Sequence, residues 1–241
     1  DNSSPLLRAC YNGGGGPYVT PVAGDIPYTQ RLQYATTTVA ASTDQVFFVS
    51  FLLNISSAGT NPNAHILGLG NDFGGTDYEF LRVHVQSAGA GFTIGISEGG
   101  GTGLAANSGG GIAWGSTVYN LNQTYLVVVR YDYDNGGGAN GDAIRLWVNP
   151  AVNSEPPVAG TQAAILPGGA GNDVLFDGDN IRNLYLNYRG TGSAIYAIDA
   201  IRYARGATSA SAWTNLNAAG DTPPTVGTTA TAVSTNEDTA I

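Results

Sequence analysis

The sequence predicts an all-β protein: an antiparallel two-sheet jelly-roll sandwich with one short C-terminal helix. Three observations carry this. Apolar residues alternate with period two over many short runs, while helical periodicity is almost absent. The runs are separated by turns rich in Gly, Asn and Asp, and 35 of the 241 residues are glycine. No strand–helix–strand alternation occurs, which argues against a nucleotide-binding parallel sheet.

Taken in order, residues 31–39 read as a weak strand. Residues 45–55 (QVFFVSFLLNI) are apolar on both faces, as in the centre of a sandwich. A weak strand follows at 64–69. Residues 79–86 place Leu81, Val83 and Val85 on one face and Arg82, His84 and Gln86 on the other. SAGAG then reads as a hairpin turn into 91–97, where Phe92, Ile94 and Ile96 point inward. Further strands are expected at 112–119 (weak), 124–133, 142–149, 174–176 (weak), 181–189 and 194–204. The helix is expected at 209–216, capped by Thr208 or Ser209. This makes about ten strands with short connections, the pattern of a sandwich or jelly roll.

Composition narrows the function. Charged residues are 11%, the net charge is −9 and every one of the nine basic residues is arginine. Such a surface is a poor partner for nucleic acid or anionic membrane and suits calcium, neutral glycans or proteins. No apolar run reaches the roughly 20 residues of a membrane helix. Cys10 stands alone, so no intrachain disulfide forms, and it reads as a buried or incidental thiol, with a reactive thiol or an intermolecular bridge as the alternatives. An opening Asp1 predicts a chain cut from a precursor or excised from a longer one. With the Gly/Thr/Ser/Asn-rich composition, the expectation is a secreted or cell-surface protein.

The run TYLVVVRYDYDNGGGANGDAIRLWVNP and the late IYAIDAIRYARGATSASAW resemble the concanavalin A-like (laminin-G-like) jelly roll of bacterial extracellular proteins. Asp142, Leu146, Trp147, Val148, Asn149 and Pro150 carry the first motif. Asp199, Ile201, Arg202 and Trp213 carry the second. The resemblance spans residues 1–216 and implies the fold more than a function, since that fold hosts lectins, glycan hydrolases, adhesion modules and spacers. The stretch 217–241, with Pro223, Pro224 and NEDTAI, resembles the opening of an Ig-like or cadherin-like repeat. A disordered tail is the alternative. The first reading implies neighbouring domains in a longer chain.

The search for chemistry yields no catalytic set. Glucanases of this fold carry E-x-D-x-x-E on a strand, and a retaining glycosidase needs two carboxyl groups about 5–5.5 Å apart. That motif is missing, and the acid pairs Asp77/Glu79, Asp132/Asp134 and Asp177/Asp179 fall at strand ends or in loops. His65 and His84 belong to no serine or zinc motif, and His84 reads as a solvated face residue. The glycine runs precede no helix with a lysine, so they are not phosphate loops.

Calcium is the better metal candidate, because Asp, Asn and backbone carbonyls supply its oxygens. Asp173, Asp177, Asp179 and Asn180 are the first choice of ligands. Asp132, Asp134 and Asp142 are the second, and Asn71, Asp72 and Asp77 form a further cluster. Ordinary turn chemistry by the same residues is the alternative. For carbohydrate, Trp147 flanked by Arg145 and Asn149 suggests an aromatic platform, repeated by Tyr185, Asn187 and Arg189. The alternative for Trp147 is cover by a loop or the second sheet. Trp114, beside a glycine-rich loop, is a further sugar-contacting candidate. The functional expectation is a non-catalytic surface module, lectin-like or adhesive and calcium-ordered, binding a glycan or a surface protein. A purely structural module and, last, a glycan-active hydrolase are the alternatives.

Overall fold

The computed structural model describes residues 31–33, 45–61, 64–70, 79–97, 111–134, 142–157, 162–166, 183–186 and 194–217. Within them lie β1 (Arg31–Gln33), β2 (Gln45–Ser57), β3 (His65–Gly70), β4 (Glu79–Ala88), β5 (Gly91–Ser97) and β6 (Ala113–Trp114). The chain continues through β7 (Thr124–Tyr133), β8 (Ala143–Val148), β9 (Ala164–Leu166), β10 (Asn183–Leu186), β11 (Ile195–Gly206) and helix α1 (Ser209–Asn217). One sheet has the order β1-β10-β3-β4-β5-β6 and the other β11-β2-β7-β8-β9, with antiparallel pairing throughout. The protein is the predicted two-sheet jelly-roll sandwich.

Period-two alternation builds the core. Phe47, Val49, Phe51, Leu53 and Ile55 of β2 point between the sheets, beside Val127, Val129 and Tyr131 of β7. They meet Leu81, Val83 and Val85 of β4 and Phe92, Ile94 and Ile96 of β5. Each such side chain stabilises the fold by about 1.5–3 kcal/mol on leaving water. The opposite face of β2 is apolar because α1 covers it. Phe48 meets Trp213 edge-on at 5.3 Å, and Ala212 and Leu216 of the helix are buried with Leu126, Val128 and Trp147. Thr208 is the N-cap: its Oγ1 accepts the Ser211 N–H at 3.2 Å.

Local irregularities follow from particular residues. Gly89, at φ 58°, makes the β4–β5 turn. Asn149 ends β8 at φ 51° and continues the ladder with its own side chain, Oδ1 accepting from Leu126 N at 2.8 Å. That accounts for the asparagine in WVNP. Asp142 is buried and accepts from the Tyr131 hydroxyl and, at 2.8 Å, from Asp134 N–H, so it ties together the two ends of the segment 135–141. In β11 the register shifts between Asp199 and Arg202, and Ala200 takes φ 49° with its N–H held by Asp199 Oδ1 at 2.6 Å. At the flank where β6 nears β9, a Cβ on Gly115 would collide with the Ala163 carbonyl oxygen.

β9 was not expected, because AIL is too short to show a period. The expected strand at 174–176 and the stretch 218–241 lie outside the described residues. Among the described residues, no helix is long and apolar enough to cross a membrane.

Candidate functional site

The outer face of the six-stranded sheet carries the polar side chains that the alternation of β4 and β5 turns away from the core. Two rows run across its strands. In one, Arg31 pairs with Tyr185, Tyr185 with Gly68, Gly68 with Arg82, and Arg82 with Ser97. In the other, His65 pairs with His84, His84 with Gly95, and Gly95 with Trp114. Strict alternation would put His65 on the same side as Leu67 and Leu69. A register shift between His65 and Leu67 turns it instead toward His84, with the ring centroids 5.8 Å apart.

The polar groups that β3, β4 and β5 contribute to these rows are buried. Exposure is 4% for Arg82, 1% for His84, 0% for Ser97 and 2% for His65. The expectation of a solvated His84 is thereby corrected: alternation tells which side chains leave the core, and not whether the face they reach is wet. His84 Nδ1 lies 3.3 Å from the Ala64 carbonyl oxygen, and Nε2 lies 2.8 Å from Ser97 Oγ. A carbonyl only accepts, so Nδ1 carries the hydrogen and Nε2 accepts from the Ser97 hydroxyl. Burial and, next, the Arg82 guanidinium push the His84 pKa down to about 3, against a smaller opposing effect of the Ala64 carbonyl. His84 is therefore a neutral imidazole of fixed tautomer beside a cation. A perturbed histidine with a named charge partner marks a functional-site candidate.

The residues singled out for sugar contact are dispersed. Trp114 joins this row, partly exposed, its indole edge-on to His84 at 6.2 Å. Tyr185 occupies a register position in the Arg31–Ser97 row. Trp147 faces away on the other sheet, 2% exposed, its indole N–H donating to Pro157 O at 3.3 Å; this is the covered placement weighed for it above. Arg145 is paired with Asp132. Asn187 lies outside the described residues, as do Asp173, Asp177, Asp179 and Asn180 and the cluster of Asn71, Asp72 and Asp77. Asp132 also pairs with Arg130 at 2.7 Å, and Asp134 and Asp142 are linked as described above. Among the described residues, no three His, Cys, Asp or Glu side chains gather as metal ligands. Sequence reasoning passed over Arg82, His84 and Ser97 as a site. Their signal was the R-x-H spacing on one strand face, opposite a serine that only the β4–β5 register reveals.

No family model matches the chain, and no curated protein matches it. Solved structures do. An alginate lyase Aly36B mutant in complex with alginate tetrasaccharide is 12% identical, over 76% of this chain and 78% of that one, with a TM-score of 0.46. A heptameric SAP-like pentraxin from Limulus polyphemus is 10% identical, over 77% and 74%, with a TM-score of 0.43. An endo-β-1,4-glucuronan lyase from the fungus Trichoderma reesei is 10% identical, over 77% and 78%, with a TM-score of 0.43. At these identities the likeness is one of fold. Alginate and glucuronan lyases recur among the matches, which runs against the expectation of a non-catalytic, lectin-like or structural module that is not an enzyme. The search behind that expectation sought paired carboxylates, the requirement of hydrolysis, and did not weigh elimination.

Proposed function

We propose that the chain is a glycan-active enzyme that cleaves an acidic polysaccharide by elimination on the outer face of its six-stranded sheet. The observation that carries this reading is the buried trio Arg82, His84 and Ser97, a cation beside a neutral histidine of fixed tautomer. Elimination from a uronic acid residue withdraws the proton on the carbon next to the carboxylate and expels the glycosidic oxygen. Arg82 is suited to hold that carboxylate and to stabilise the charge that builds on it. His84 Nε2 is suited to take the proton through Ser97, whose hydroxyl hydrogen passes to Nε2 as its oxygen accepts the proton from the sugar. A carboxylate seated on Arg82 also offsets the guanidinium field at His84, so the base strengthens when substrate is bound.

The test is incubation with a panel of polyuronates while following the ultraviolet absorbance of the new carbon–carbon double bond. Turnover is expected on at least one member. Arg82→Gln and His84→Gln are each expected to lower kcat by about 100-fold or more. Silence across the panel overturns the reading.

A further inference from the structure

His84 and Ser97 are closed from solvent, and Trp114, packed beside them, reaches it. A Cβ on Gly95 would lie 2.6 Å from Trp114 Cε3 and 2.8 Å from Ile112 Cγ2, so the indole fills the slot that only a glycine leaves open. Filling it brings the ring edge-on to His84 at 6.2 Å. On the opposite flank His65, 2% exposed, closes against the same imidazole. Trp114 and Ile112 are partly exposed and Gly111 is exposed, so the row of buried polar groups meets solvent at the β6 end. An aromatic ring at the mouth of a polar row has two uses. Seated, it keeps water from the imidazole. Displaced, it offers an apolar face to a pyranose ring.

We propose that Trp114 is a removable cover: its indole leaves the Gly95 slot, stacks on one sugar of an incoming chain, and so admits the next sugar to His84. This rests on the glycan-active reading. The cover makes burial of the row compatible with turnover, because the group that shields the base is also the group that binds substrate. The backbone beside Trp114 is held, with Gly115 N–H donating to Ile94 O at 2.9 Å and Thr93 Oγ1 donating to Gly115 O at 2.7 Å, so it is the indole side chain that moves.

Acylation of His84 by diethyl pyrocarbonate, located by peptide mass, reads the cover directly. The wild-type protein, Trp114→Ala and Gly95→Ala are compared, the last because its new methyl group evicts the indole without removing it. Both variants are expected to acylate at His84 severalfold faster than wild type. In wild type, a polyuronate oligosaccharide is expected to change the tryptophan fluorescence. Trp147 and Trp213 are buried between the five-stranded sheet and α1, so this change is expected to vanish in Trp114→Ala. If His84 reacts as slowly in both variants as in wild type, the cover is overturned, even where the enzyme turns over polyuronate. If both variants free His84 and no polyuronate is cleaved, the cover stands and the catalytic reading falls.

Discussion

The outer faces of the two sheets are finished in opposite ways. On the five-stranded sheet, Phe48, Leu126, Val128 and Trp147 are apolar, and α1 lies on them with Trp213. On the six-stranded sheet, Arg82, His84, Thr93 and Ser97 occupy the equivalent outward positions and are buried as well. Burying apolar side chains stabilises a fold, while burying polar ones costs free energy unless each finds a partner. The first face therefore contributes to stability. The second is buried with its polar groups partnered, His84 by the Ala64 carbonyl and Ser97, and Thr93 by the Gly115 carbonyl, and it holds a neutral histidine next to a cation.

Breaking the apolar face should have the largest effect. Phe48→Ala removes a fully buried ring from under the helix and is expected to cost about 3–5 kcal/mol in denaturant unfolding. A loss below about 1 kcal/mol would show that α1 adds little to the sandwich.

Acid should act on the polar face next. The folded pKa of His84, about 3, lies below its ordinary value of 6.5, so the folded state binds fewer protons. Its contribution is complete above pH 6.5 and is lost as pH falls toward 3, by about 1.4 kcal/mol per unit. Melting followed from pH 7 to 4 should show that slope, and His84→Gln should flatten it. An unchanged slope in the variant would assign acid sensitivity to other groups.

The smallest expected effect sharpens the comparison at the helix end. Thr208→Ala removes the cap that seats α1 and is expected to cost about 1 kcal/mol by equilibrium unfolding. The polar face should not register it, and the rate of His84 acylation is expected to stay at the wild-type value.

Much of the fold was legible in the sequence. Strand β5 and strand β7 have the predicted bounds, and the two apolar faces of 45–55 announced a strand buried on both sides. The helix ends one residue beyond its predicted limit. Strand β9 escaped because three residues cannot display a period. The site was less legible. Arg82 and His84 were seen to share a face, but their burial depends on what comes to lie over that face, which no local pattern encodes. His65 was further concealed, since one shifted register position reverses the side to which it points. The partnership of His84 with Ser97 needs the pairing of two strands, not the spacing within one. Trp147 illustrates the converse: its polar neighbours in sequence suggested a sugar platform, while the helix and Val152 pack near it in space.

Gly115 has a consequence beyond local packing. Its missing side chain lets the short strands at one flank of the two sheets, β6 and β9, draw close. The two sheets are thereby drawn together along this flank, where an open sandwich would leave two separate strand edges for a foreign strand to pair with.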